Sequence, residues 1–254
     1  MDPTIHIIYR HIPVRAEKYS RDPNKLRPDW FSYQTCFHNL MRTIRSDPRG
    51  HQVRVLILFD GTMEDFLQDF IATYYANASL QLGVQLVKGG SNGASFLIAL
   101  DMLHKSTIPD SDILYFLEND YLHQHGWVSK TLELFESGQP VDIVSLYDHR
   151  TKYEFEMYAG LRSRICITPT HHWRTVPSTC GTFLIRKSEM MQDYDIWTAN
   201  LTDYILFPTL QNDRGRVLLT PIPGLATHCM AGYLSPAVDW QALAVQNDAR
   251  PPMP

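Results

Sequence analysis

Residues Asp112 to Tyr121 read D-I-L-Y-F-L-E-N-D-Y, an apolar run that stops abruptly on two carboxylates flanking an amide. A short run with no polar alternation predicts a strand buried on both faces, and such a strand belongs inside a sheet covered by helices on either side. The acids then fall at the strand's carboxyl end, where open α/β sheets bind their ligands. Glu118 and Asp120 stand two apart, so just past the strand both could turn toward one hard cation.

The first half of the chain repeats this design. Ile5 to Tyr9 (I-H-I-I-Y), Val53 to Phe59 (V-R-V-L-I-L-F, ending on Asp60-Gly61), Gly83 to Val87 and Val141 to Leu146 all read as strands. Between them, helical spacing covers Ser32 to Arg45, Met63 to Ala76 and Gly126 to Ser137, and a further helix runs to His104 after the turn Lys88-Gly89-Gly90-Ser91-Asn92-Gly93. Strand and helix in alternation imply a mostly parallel sheet with right-handed crossovers.

Beyond Tyr147 the pattern changes. Asp148 to Pro177 is irregular and rich in His, Arg and aromatic residues, and Thr182 to Ile185 reads as an antiparallel strand. Ser188 is placed to cap a short helix through Met190, Thr202 and Asp203 open another to about Gln211 despite Pro208, and Val217 to Leu219 is a last strand. The expectation is one α/β domain over residues 1–246, with a small antiparallel addition in its C-terminal half and a flexible tail over 247–254.

A chain of 254 residues can bury a full core. Its net charge of -4 gives no basic field for nucleic acid or an anionic membrane. Four scattered cysteines without a C-x-x-C pair, and no secretory-type apolar leader, predict a reducing cytoplasmic home. No apolar run approaches the roughly 20 residues of a spanning helix, so a lipid-linked partner would be met from the surface.

Three features at strand ends could meet one ligand: Asp60, the glycine turn, and Glu118 with Asp120. A nucleoside diphosphate has matching parts, with Asp60 accepting from base or ribose, the turn allowing close approach, and a divalent ion at Asp120 neutralising the phosphates. Plainer readings stand beside these. Asp60 can initiate a turn, Ser91 or Asn92 can cap a helix, Asp203 can answer a helix dipole, and Trp173 can be core. The pairs His123/His125 and His171/His172 lack a third ligand for zinc.

The arrangement resembles the glycosyltransferases of the nucleotide-sugar A-type (GT-A) fold, of the family 2 kind, whose acidic D-x-D motif stands here as Glu118-Asn119-Asp120. The likeness runs from Ile5 to about Trp240 and implies a Rossmann-like domain, with a nucleotide-sugar half over 1–146 and an acceptor half over 147–246. It implies metal-dependent, inverting transfer of a sugar from a nucleoside-diphosphate sugar to an acceptor hydroxyl, in polysaccharide or glycoconjugate synthesis. Asp120, His228 and Glu118 would hold Mn²⁺ or Mg²⁺, with Arg10, Asp60, Gly89, Gly90, Ser91, Asn92, Glu118 and Asn119 around the donor. In Thr202-Asp203-Tyr204, Thr replaces the Glu of the family's E-D motif and Asp203 would be the base, with Asp148, Asp195 and Asp239 as rivals. Lys152, Trp173, Arg174 and Thr179 would face the leaving group or acceptor. Two further readings remain: a non-catalytic sugar-nucleotide or glycan-binding module, and a sugar-nucleotide pyrophosphorylase, although no G-x-G-x-R lies near the N-terminus.

Overall fold

The computed structural model describes residues 2–13, 26–76 and 82–248. Its first half runs β1 (Ile5–His11), α1 (Tyr33–Ser46), β2 (Val53–Asp60), α2 (Met63–Gln68), α3 (Phe70–Ala76), β3 (Leu82–Val87), α4 (Asn92–His104), β4 (Ile113–Glu118), β5 (Tyr121–His123), α5 (Trp127–Glu136) and β6 (Ile143–Val144). The second half continues with α6 (Thr151–Glu154), β7 (Ile165–Ile167), β8 (His172–Thr175), β9 (Phe183–Arg186), α7 (Lys187–Gln192), α8 (Tyr194–Ala199), α9 (Asp203–Arg214), β10 (Leu218–Ile222), β11 (Ala226–His228) and α10 (Trp240–Asp248).

Nine strands make one sheet in the order β3-β2-β1-β4-β9-β6-β10-β8-β7. Only β9 and β8 run against the common direction, so the sheet is mostly parallel, as the alternation of strand and helix predicts. The residues that made β1, β2 and β4 legible bury both faces. Ile7, Ile57 and Tyr115 pack under α1, α3 and α5 on one side, while Ile8, Leu58 and Phe116 pack under α4, α8 and α9 on the other. On that second side Phe183 stacks between Phe116 at 5.2 Å and Trp197 at 4.9 Å. Each such buried side chain contributes about 1.5–3 kcal/mol relative to exposure.

Several expectations are corrected. The helix expected over Met63 to Ala76 is two, broken at Asp69, whose extended backbone lets its carboxylate accept from Ile71 N and meet His11 Nε2 at 3.1 Å. Ser188 lies inside α7 with its hydroxyl on Glu189, so it is not the cap. The segment read as irregular contains β7 and β8, which extend the sheet edge through pairing with β10. Helix α10 reaches Asp248 where a tail was expected, with Trp240 buried against Cys36 and Leu122; residues 249–254 of the expected tail lie outside the described residues, as do residues 14–25.

A second, two-stranded sheet, β5 with β11, has no counterpart in the sequence pattern, because three-residue strands are too short for periodicity to reveal. It pairs His228 with Tyr121, 107 positions earlier in the chain and directly after the acidic triplet. Among the described residues, no helix is long and apolar enough to cross a membrane.

Candidate active site

Register brings the strand ends together. Arg10 of β1 lies opposite Glu118 of β4, and Asp60 of β2 lies opposite Val87 of β3. A polar cavity of about 180 Å³ opens over this edge, lined by Arg10, Arg27, Asp60, Glu118, Asn119 and Asp120 among others. A smaller one of about 50 Å³ shares Arg10 and Asn92 with it and reaches Asp203. A further cavity, about 450 Å³, lies elsewhere, beneath the C-terminal part of α4; hydrocarbon from Ile7, Leu56, Met102 and Leu103 dominates it and no carboxylate of the described residues lines it. The polar edge, with its carboxylates and guanidinium groups, is therefore the candidate site.

Asp120 is its electrostatic centre. One carboxylate oxygen, Oδ2, accepts from Arg27 Nη2 at 2.6 Å and meets His228 Nε2 at 2.9 Å; the other, Oδ1, is buried with no hydrogen-bond partner among the described residues. Burial alone would raise the Asp120 pKa, but His228 and Arg27 outweigh it and hold the group well below the usual carboxylate range. Burial would likewise lower His228, yet Asp120, with Cys180 beside it, raises it well above the ordinary imidazole value. The His228 ring stacks on Tyr121 at 4.9 Å, which fixes its plane.

Glu118 is turned the other way. Its carboxylate accepts from Asn92 Nδ2 at 2.9 Å and Thr182 Oγ1 at 3.3 Å and lies 3.5 Å from Arg10. The structure thus does not join Glu118 to Asp120, and among the described residues no three His, Cys, Asp or Glu side chains converge on a metal position. Arg10, 5% exposed at its side chain, also donates to the carbonyls of Asn92 and Gly181 at 3.1 and 3.0 Å. A Cβ at Gly181 would stand 3.2 Å from the guanidinium and crowd this approach.

The glycine turn serves Asp60 rather than a phosphate. The amides of Gly89 and Gly90 donate to its two carboxylate oxygens at 2.9 and 2.8 Å, so the role expected for these two amides is corrected. Gly89 admits no side chain, because its Cβ would meet Asp60 Oδ2 at 2.9 Å, and Gly90 holds φ +69°. Ser91 caps α4 through Ala94 N at 3.2 Å, and Asn119 reaches His11 at 3.3 Å.

Asp203 begins α9 and lines the smaller cavity. Burial first, then the nearby Glu118 charge, raise its pKa to about 7 against the opposing pull of Arg10. Its rivals are otherwise engaged: Asp148 with Arg174 at 2.7 Å, Asp195 with Arg214 at 2.8 Å, and Asp239 with Ala242 N.

The residues assigned to the acceptor fare unevenly. Trp173 is fully buried with Nε1 on Thr168, so it offers no face to a sugar, and Thr179 is buried with its hydroxyl on Ser145 at 2.5 Å. Arg174 is held by Asp148 and packs over Tyr153 at 4.5 Å. Lys152 is buried and pushed down to about 8 by desolvation, with Cys180 and Asp148 nearby. Sequence reasoning missed Arg27 as a site residue; it sits in a polar stretch after β1, the one signal that could have marked it.

No protein-family model matches the chain, and no curated protein matches its sequence. Among solved structures, the chain is similar to GalNAc-T7, crystallised with UDP, GalNAc and Mn²⁺, at a TM-score of 0.57 and 10% identity over 91% of this chain and 45% of that one. The chain thus spans less than half of that protein's length. It is also similar to the 4-diphosphocytidyl-2C-methyl-D-erythritol synthase of Anaerococcus prevotii, at a TM-score of 0.50 and 9% identity over 98% and 96% of the two chains. At such identities the likeness is one of architecture, and the architecture is the GT-A, Rossmann-like fold.

Proposed function

We propose that this chain is a glycosyltransferase that moves a sugar from a nucleoside-diphosphate sugar to an acceptor hydroxyl, with residues 1–146 holding the donor and 147–246 the acceptor. The observation that carries the reading is Asp120. It follows β4 beside His228, with one buried oxygen unpartnered among the described residues, in the cavity that also holds Asp60 and Arg10.

That oxygen fits a cation. A hard divalent ion bound together with substrate phosphates needs only one or two protein ligands, so the lack of a third is no obstacle, and a carboxylate with an imidazole suits Mn²⁺ better than Mg²⁺. Asp120 and His228 would hold it, and it would supply neutralising charge to the departing diphosphate. Glu118, fixed by Arg10 and Asn92, is placed for ribose hydroxyls instead, and Asp60 keeps lone pairs for the nucleoside beyond the two that take the glycine amides. Asp203 takes the acceptor proton; a carboxyl near pKa 7 is both deprotonated and basic enough near neutrality. Attack from its side inverts the anomeric centre.

The near full-length match to the erythritol synthase favours a second reading, nucleotidyl transfer. Both are tested by thermal shift with UDP, GDP, CDP, dTDP and their sugars, with and without Mn²⁺. A bound donor at 100 times its dissociation constant adds about 2.7 kcal/mol. No shift with any of them would sink the donor site, and release of pyrophosphate rather than nucleoside diphosphate would decide for the second reading.

A further inference from the structure

Asp120 Oδ2 meets two side chains, Arg27 and His228, and they are differently held. His228 is locked by stacking on Tyr121. Arg27 instead reaches the carboxylate at the end of a long side chain that is 24% exposed and lines the donor cavity. Its second nitrogen donates to the Cys229 carbonyl at 2.9 Å, and its guanidinium lies 4.7 Å over the Phe31 ring. The backbone around it is pinned, with Ala231 N on Leu26 O at 2.8 Å and Phe31 N on Pro28 O at 2.9 Å. Moving the guanidinium thus needs side-chain rotation alone.

A guanidinium and a divalent ion cannot both touch one carboxylate without close repulsion in a poorly hydrated pocket. A diphosphate, however, offers the guanidinium a bidentate partner a short distance away. We propose that Arg27 is a resident counterion of Asp120 that excludes the metal until the donor's diphosphate draws the guanidinium away, so that metal and nucleotide bind together. This rests on the glycosyltransferase reading of the site.

The test is Mn²⁺ binding followed by electron paramagnetic resonance on the nucleotide-free protein. Arg27→Met should bind Mn²⁺ at least tenfold more tightly than the wild type, and in chelator it should bind the nucleoside diphosphate at least tenfold more weakly. Arg27→Lys, which keeps the charge, should stay near wild type in Mn²⁺ affinity. Arg27→Gln, which keeps a donor for the Cys229 carbonyl, carries the same comparison with less risk to folding. Mn²⁺ affinity that is unchanged or weaker in the Met and Gln variants overturns the competition while leaving the enzyme reading intact. Failure of wild type to bind UDP, GDP, CDP or dTDP overturns both.

Discussion

Asp203→Asn separates the catalytic assignment from mere folding. Asp203 rises from 3.8 to about 7 in the folded protein. The folded state therefore holds a proton that the unfolded chain has released. Between about pH 4 and pH 7 the native state binds more protons, so its stability falls as pH rises through that window and levels off above it. At 1.36 kcal/mol per unit, a shift of about 3 units sets a ceiling of about 4 kcal/mol. Asp203 is partly exposed, and solvent screening brings the expected effect to about 2 kcal/mol. Asparagine has nearly the same shape and no charge. Urea denaturation should then find the variant more stable than wild type by about 2 kcal/mol at pH 8 and nearly equal at pH 4, while turnover falls by about 10²–10⁴ with donor affinity kept. An equal loss of stability at both pH values, or turnover retained, would refute the reasoning.

Two other substitutions separate core from site. Trp173→Ala should cost about 3–5 kcal/mol in chemical denaturation, with acceptor KM unchanged in the folded enzyme, because the indole is wholly enclosed. Gly89→Ala should displace the Asp60 carboxylate, which its methyl would approach to 2.9 Å; calorimetry should record a loss of nucleoside affinity of about tenfold or more, larger than any change in melting temperature.

Much of the sheet was legible because β1, β2 and β4 are short, mostly apolar runs without polar alternation, as strands buried on both faces are. The edge was not. Strands β7 and β8 span only three and four residues, too few to show a period, and β8 buries Trp173 and Arg174 in succession rather than alternating. Asp120 was readable from its place after an apolar run, but the direction of Glu118 depends on Arg10, Asn92 and Thr182, which lie 26 to 108 positions away. The glycine turn misled for a similar reason. Its amides look available along the chain and are taken by Asp60 only once β2 and β3 pair.

The small β5–β11 ribbon has a consequence for biosynthesis. During synthesis, the chain presents Asp120 long before His228 and Cys229 have been made, and the backbone bond from Cys229 N to Asp120 O forms only when the final strands return. The nascent protein thus carries its acidic triplet without the imidazole that completes it. The pairing that brings His228 to Asp120 is thus a late closure, made only once both halves of the chain are present.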